Sequence, residues 1–299
     1  MSAPLILLAP PRSFTSVTSA MLGQHPQMYG LPEVHLFVAD TVGELFFYYK
    51  ITGPRRSHGL LRTIAEVYMK TQNKKTIDLA KAWLIKNKNM PTAEVFHKIV
   101  SKIDPKIIVE KSVTTVWKPA NLQRVEKVIP NARYIHLTRH PRGQCESMME
   151  ALETESGLTP QMQDHSTTPP TTDPQILWYN INSNIVDFLK DIPKERHMRI
   201  RGEDVLQNPD KHLREMSEWL GLRTDDEAID EMKHPERSPF SKLGPPNAPF
   251  GNDPKFIKDP ALRPARAKSQ SLEGSLSWRD DIPGFTDEVK AMAKSFGYE

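Results

Sequence analysis

Apolar residues gather in short runs along the chain, and two kinds of run alternate. Leu5-Ile-Leu-Leu-Ala9 is apolar at every position, the pattern of a short strand buried on both faces. From Thr15 to Leu22, Val17, Met21 and Leu22 fall on one side of a helix. Residues 34–49 carry a second helical pattern rich in Leu, Phe and Tyr, and residues 60–103 predict several helices with Lys-rich outer faces. Ile107–Val109 and Arg133–Thr138 predict further strands, and another precedes Glu33. A helix is predicted from Pro141 past Met149, because proline suits a first helical turn. Residues 175–190 predict another helix and His197–Arg201 another strand. Strands alternating with helices predict an α/β fold, a central and mostly parallel sheet flanked by helices on both faces. Residues 159–174 and 235–264 break the rhythm with Pro, Thr, Gly and Asn and predict long loops of the lid or binding type. With no internal repeat and no clear linker, residues 1–299 read as a single domain.

Composition excludes some functions. A net charge of +3 argues against a protein that wraps nucleic acid by bulk charge, and leaves room for a local basic pocket. Cys145 is the sole cysteine, which rules out an internal disulfide and a cysteine metal cluster. A reducing compartment is the simplest expectation. Leu5–Ala9 is too short for a signal-peptide core and lacks a basic leader, and no stretch approaches a membrane span. A soluble, cytoplasmic protein is therefore expected.

The candidate chemistry begins between the first strand and its helix. An anion held by Arg12–Ser16 would meet free helix N-terminal N–H groups, the hydroxyls of Ser13, Thr15 and Ser16, and the charge of Arg12. The alternative is a helix whose own serines cap it. The glycines and lysine of a Walker loop are missing, which disfavours an NTPase or nucleotide kinase. In His136-Leu-Thr-Arg-His-Pro-Arg142, Arg139 stands at a strand end, with Ser147 in the next helix. Ligands of open parallel sheets bind beyond the carboxyl ends of the strands, so both elements face one edge. His136, Trp178 and Trp219 sit in apolar patterns as core residues, and the Lys-rich run at 70–88 reads as a solvated helix face.

Pro-x-Arg-Ser-x-Thr-Ser after the first strand, with Arg and Ser after a later one, resembles the sulfotransferases that use 3′-phosphoadenosine-5′-phosphosulfate (PAPS). The resemblance implies a P-loop-like sulfotransferase fold. It also implies that the loop Arg12, Ser13, Phe14, Thr15, Ser16 and Val17 grips the 5′-phosphosulfate, while Arg139 and Ser147 grip the 3′-phosphate. Ile200-Arg-Gly-Glu-Asp-Val205, followed by Asn208-Pro209, resembles the family's YEDL segment, and Trp278-Arg279 with Ser295–Tyr298 resembles its tail. There are departures. The family usually has Gly where Phe14 stands and an aromatic where Gly202 stands, and its C-terminal phosphate clamp is blurred, with Arg263, Arg266 and Lys268 as candidates.

Sulfuryl transfer needs a base for the acceptor proton, cations for the oxygens that gain charge, and in-line geometry. Leu31-Pro-Glu-Val-His-Leu-Phe37 resembles the segment of glycosaminoglycan 3-O-sulfotransferases whose glutamate is the base. That implies Glu33 as the base and His35 as its neighbour near the acceptor. Glu110-Lys111-Ser112 resembles the family's EKSP, which implies Lys111 on the transferring group, with Arg12 as a second cation. The family implies PAPS as co-substrate, its desulfonated product 3′-phosphoadenosine-5′-phosphate (PAP), and no metal. Gly251-Asn-Asp-Pro-Lys-Phe256 is similar to a segment in sulfotransferase domains of bacterial polyketide synthases, which act on a hydroxyacyl chain held by a carrier protein. A small-molecule or carrier-bound hydroxyl acceptor is expected, with no nucleic acid. The competing expectations are a P-loop-type kinase and a non-catalytic nucleotide-binding module.

Overall fold

The computed structural model describes residues 3–154, 160–264 and 270–299. Five parallel strands form the sheet: β1 Leu5–Leu8, β2 Met28–Gly30, β3 Ile107–Glu110, β4 Arg133–Thr138 and, after a short hairpin of β5 Gln163–Asp164 and β6 Thr171–Thr172, β7 His197–Arg201. Their order across the sheet is β2-β3-β1-β4-β7. Leu5 to Leu8 pair with Arg133 to His136 on one side, and Leu5 and Ile6 with Val109 and Glu110 on the other.

β1 owes its central place to its lack of a polar face. Side chains alternate across a strand. Ile6 and Leu8 enter one hydrophobic cluster with Phe37, Ile64 and Leu122, while Leu5 and Leu7 enter a second with Met21, Val205 and Leu213. Burying each such side chain is worth about 1.5–3 kcal/mol. The flanking helices are α1 Thr15–Gln24, α2 Val42–Thr52, α3 His58–Met69, α4 Lys74–Lys86, α5 Thr92–Ile103, α6 Pro119–Val128, α7 Pro141–Thr154 and α8 Pro174–Lys190. The C-terminal third adds α9 Gly202–Gln207, α10 Pro209–Leu220, α11 Asp226–Met232, α12 Pro254–Lys258 and α13 Asp287–Ser295. Among the described residues no helix is long and apolar enough to cross a membrane.

The strand order reverses at β1: the chain builds β2 and β3 to one side and β4 and β7 to the other. A crevice opens at such a reversal beyond the carboxyl ends of the strands. The loops leaving β1, β2, β3, β4 and β7 therefore share one edge.

Three predicted segments are corrected. The helix predicted over 34–49 starts only at Val42, because Thr41 caps it reciprocally with Glu44, and His35 upstream sits in the left-handed region at φ 53°. Residues 235–264 are not one loop, since Asp253 caps the short α12 by accepting from the Lys255 N–H. Residues 163–172 form the β5–β6 hairpin, held by buried Arg279, which bonds Asp164 and Asp173 at 3.0 Å each.

Candidate active site

α1 begins without the side-chain cap that its serines and threonine offered. Its N-cap residue is Phe14, left-handed at φ 61°, and among the described residues no side chain caps the N–H groups of the first turn. The N–H groups of an uncapped N-terminus carry partial positive charge and suit an anion. Ser13 Oγ is fully buried and has no hydrogen-bond partner among the described residues. Arg12, itself left-handed at φ 66°, donates from Nε to Ser147 Oγ at 3.1 Å and pairs through Nη1 with Asp253.

The loop leaving β2 meets the loop leaving β3 beside this turn. The buried Lys111 ammonium donates to Ser16 Oγ and to Glu33 Oε1, each at 2.9 Å. Burial works against the ionised Glu33 carboxylate, but Lys111 and then His35 outweigh it and hold the carboxyl below its ordinary range. His35 Nε2 lies 3.4 Å from Glu33 Oε2, and Nδ1 lies 2.8 Å from Thr114 Oγ1. Burial lowers the His35 imidazole to about 4, so the ring is neutral near pH 7. Next to Lys111, burial raises the Glu110 carboxyl to about 7; its Oε1 accepts from the Ser112 N–H at 2.9 Å. Glu33 is held from behind by the start of α3. A Cβ on Gly59 would lie 1.9 Å from the Glu33 carbonyl oxygen, so only glycine lets the two backbones meet.

Arg139, at the end of β4, donates from Nη1 to the Arg12 carbonyl, and its guanidinium carbon lies 4.3 Å from the centre of the Phe14 ring, a cation–π contact. Burial lowers its pKa to about 10, which still leaves it cationic. The two departures from the family pattern meet here. A Cβ on Gly202, the first residue after β7, would lie 2.7 Å from Phe14 Cδ2. The Phe14 ring thus occupies the space left by the missing side chain at 202. Gly202→Ala is expected to destabilise the fold by forcing this ring to move, and the same change in a Phe14→Gly background is expected to cost much less. Contacting pairs of this kind couple by roughly 0.5–3 kcal/mol in a double-mutant cycle read by denaturant unfolding, and additive costs would refute the packing.

These elements enclose a cavity of about 540 Å³. Arg12, Ser16, Glu33, Arg139 and Ser147 line it, with Val113, Trp117, Met148 and Leu152 forming an apolar wall. A smaller cavity of about 190 Å³ adjoins it between Phe14, Arg139, Ser147 and Gln270. Of the other predicted site residues, Thr15 and Val17 line the larger cavity. Arg263 points elsewhere, paired with Asp259. Arg266 and Lys268 lie outside the described residues. His136 and Trp178 are fully buried, His136 against Asn182 at 2.9 Å and Trp178 donating to the Arg139 carbonyl at 3.0 Å. Sequence reading gives no signal for Arg56 or Trp117 and marks Asn252 and Asp253 only as part of the 251–256 segment, without a site role; all four line the larger cavity. An Asp-Pro pair is a helix-start signal and could have pointed to Asp253; nothing in the sequence singles out Arg56. No group of three or more His, Cys, Asp or Glu side chains able to hold a metal ion occurs among the described residues.

A family model described as "Sulfotransferase family" matches residues 4–226. Solved structures of sulfotransferases overlay the whole chain. The sulfotransferase domain from the curacin biosynthetic pathway has a TM-score of 0.76 at 23% identity, covering 100% of this chain and 99% of that one. The sulfotransferase domain from the Synechococcus PCC 7002 olefin synthase has a TM-score of 0.76 at 22% identity, covering 100% and 97%. A sulfotransferase from Mycobacterium avium matches with a TM-score of 0.52 at 15% identity, covering 100% and 78%. At these identities the likeness shows the fold. Among curated proteins none matches the chain.

Proposed function

The chain belongs to the sulfotransferase family, and from that premise we propose that it moves the sulfuryl group of PAPS onto the hydroxyl of a small molecule or acyl chain, with Glu33 as general base. One observation carries this reading: the buried Lys111 ammonium stands 2.9 Å from both Ser16, at the uncapped start of α1, and Glu33. A cation, an anion-binding helix start and a carboxylate within reach of one another supply what sulfuryl transfer demands.

Arg12, Ser13, Phe14, Thr15, Ser16 and Val17 would hold the 5′-phosphosulfate, largely through backbone N–H groups and hydroxyls. The donor set fits: among the described residues α1 is uncapped and Ser13 Oγ has no partner, and Arg12 and Arg139 bring two positive charges. Arg139 and Ser147 would hold the 3′-phosphate where the two cavities adjoin. Arg266 and Lys268 remain proposed contacts to it on the family resemblance alone. When bound, PAPS supplies the activated sulfuryl group and a phosphate leaving group.

The chemistry then falls to the chain's own residues. Glu33 takes the acceptor proton as the acceptor oxygen bonds to sulfur and the bridging bond from sulfur to the 5′-phosphate oxygen breaks. Lys111, Arg12 and the N–H groups of α1 stabilise the oxygens that gain charge. Glu33 is a weak base while Lys111 holds it, and its basicity rises once Lys111 turns toward the sulfuryl oxygens. His35, neutral and fixed by Thr114, borders the acceptor side of Glu33. The apolar wall of Val113, Trp117, Met148 and Leu152 suits a hydrocarbon portion of the acceptor.

The 3′-phosphate assignment has a direct test. Arg139→Ala should weaken PAP binding by about 1.5–3 kcal/mol, the worth of a hydrogen bond to a charged group, and leave AMP binding nearly unchanged. Calorimetric titration measures both. An equal loss for the two nucleotides would place Arg139 away from the 3′-phosphate.

A further inference from the structure

Two cations of the larger cavity are not used by the transfer chemistry: Lys255, which pairs with Glu150, and Arg56. Arg56, in the turn between α2 and α3, lines that cavity together with Glu33. Among the described residues its guanidinium has no hydrogen-bond or ion-pair partner, and its Nε is buried without one. Most other arginines near the edge are engaged: Arg12 by Asp253 and Ser147, Arg62 by Gln72 and backbone carbonyls, and Arg142 by the carbonyls of 271–275. A buried donor without a partner is costly, and a polar ligand commonly fills such a position.

Its place points to the acceptor rather than to the nucleotide. The proposed nucleotide-binding elements are the loops after β1 and β4, whereas Arg56 approaches from the α2–α3 connection. The start of α3 packs directly on the Glu33 backbone at Gly59. The Arg56 charge also acts on the Glu33 carboxyl and the His35 ring. A second donor without a partner among the described residues, the buried Trp117 Nε1, belongs to the apolar wall of the same cavity. The acceptor end therefore combines a hydrocarbon wall, a base and two spare donors, one of them cationic.

Building on the sulfotransferase reading above, we propose that Arg56 binds an anionic group of the acceptor, a carboxylate or a phosphate, and so selects acidic hydroxy compounds with an apolar body. Arginine suits this role because its planar fork meets either anion with two parallel hydrogen bonds. The anion on Arg56 and the hydroxyl at Glu33 fix the acceptor at two points, with its hydrocarbon part against Val113, Met148 and Leu152.

The test uses the whole chain saturated with PAP and two probes that differ in one charge, 3-hydroxyoctanoate and its methyl ester. Calorimetry should show the acid binding roughly tenfold or more tighter than the ester, the worth of one charged hydrogen bond. Arg56→Ala should erase the difference and Arg56→Lys should keep part of it, while PAP affinity stays within about twofold in both. Equal binding of acid and ester by the unaltered chain would overturn the proposal, as would a preference that survives in Arg56→Ala. Loss of PAP affinity in Arg56→Ala would also overturn it, by moving Arg56 to the nucleotide. Failure of the unaltered chain to bind PAP at all would instead remove the sulfotransferase reading on which the proposal rests.

Discussion

Replacing Glu33 by Gln is expected to slow turnover by roughly 10²–10⁴ while leaving PAP affinity within about threefold. The amide keeps the size of the side chain and can still accept a hydrogen bond from Lys111, now 2.9 Å from Oε1, but it cannot take a proton. Lys111, Ser16 and the start of α1 stay in place, so binding should survive the loss of chemistry. The loss corresponds to about 3–5.5 kcal/mol of transition-state stabilisation. Single-turnover transfer of labelled sulfate from PAPS, measured beside PAP titration, separates the two quantities. A Glu33→Gln variant working at full rate would assign the proton to another group. A variant that had lost PAP binding as well would make Glu33 a part of the nucleotide site.

The second large effect belongs to Lys111. Lys111→Met retains the apolar stem and removes the charge that Ser16 and Glu33 share. Losing one pre-placed donor to developing charge typically costs about 10²–10³ in kcat. A pH signature should accompany that loss. In the unaltered chain Lys111 helps hold the Glu33 carboxyl below its ordinary range, so the proposed base is ionised across the neutral region and activity is expected to fail only in acid. Without Lys111, burial is less opposed and the carboxyl moves up. The acid limb of the pH–rate profile must therefore shift to higher pH. Removing one partner of a buried pair also destabilises, by about 3–5 kcal/mol, so rates should be read well below the variant's Tm. An unmoved acid limb would make Lys111 a strut rather than an electrostatic partner of Glu33.

What the sequence made legible follows from what each feature depends on. β1 is readable because a strand buried on both faces must be apolar at every position, and Leu5–Leu8 are. Once strands and helices alternate, the common edge follows, and with it the neighbourhood of Arg12, Glu33, Lys111 and Arg139. The start of α2 was misjudged because the apolar run at 34–38 continues the helical pattern, while the actual boundary depends on the Thr41–Glu44 box. The Phe14–Gly202 contact was illegible for a different reason. Each residue alone is a departure, and only tertiary packing makes them complementary. Arg56 carries no local signal either, since the role proposed for it rests on its lack of partners among the described residues in three dimensions.

The central claim is that the edge beyond β1 and β4 holds an adenosine nucleotide with a 3′-phosphate. Calorimetric titration of the whole chain with PAP and with AMP tests it most directly. PAP should bind tighter by roughly tenfold or more, because only PAP carries the 3′-phosphate proposed to meet Arg139 and Ser147. Equal affinity for the two nucleotides, or no binding of PAP, would contradict it.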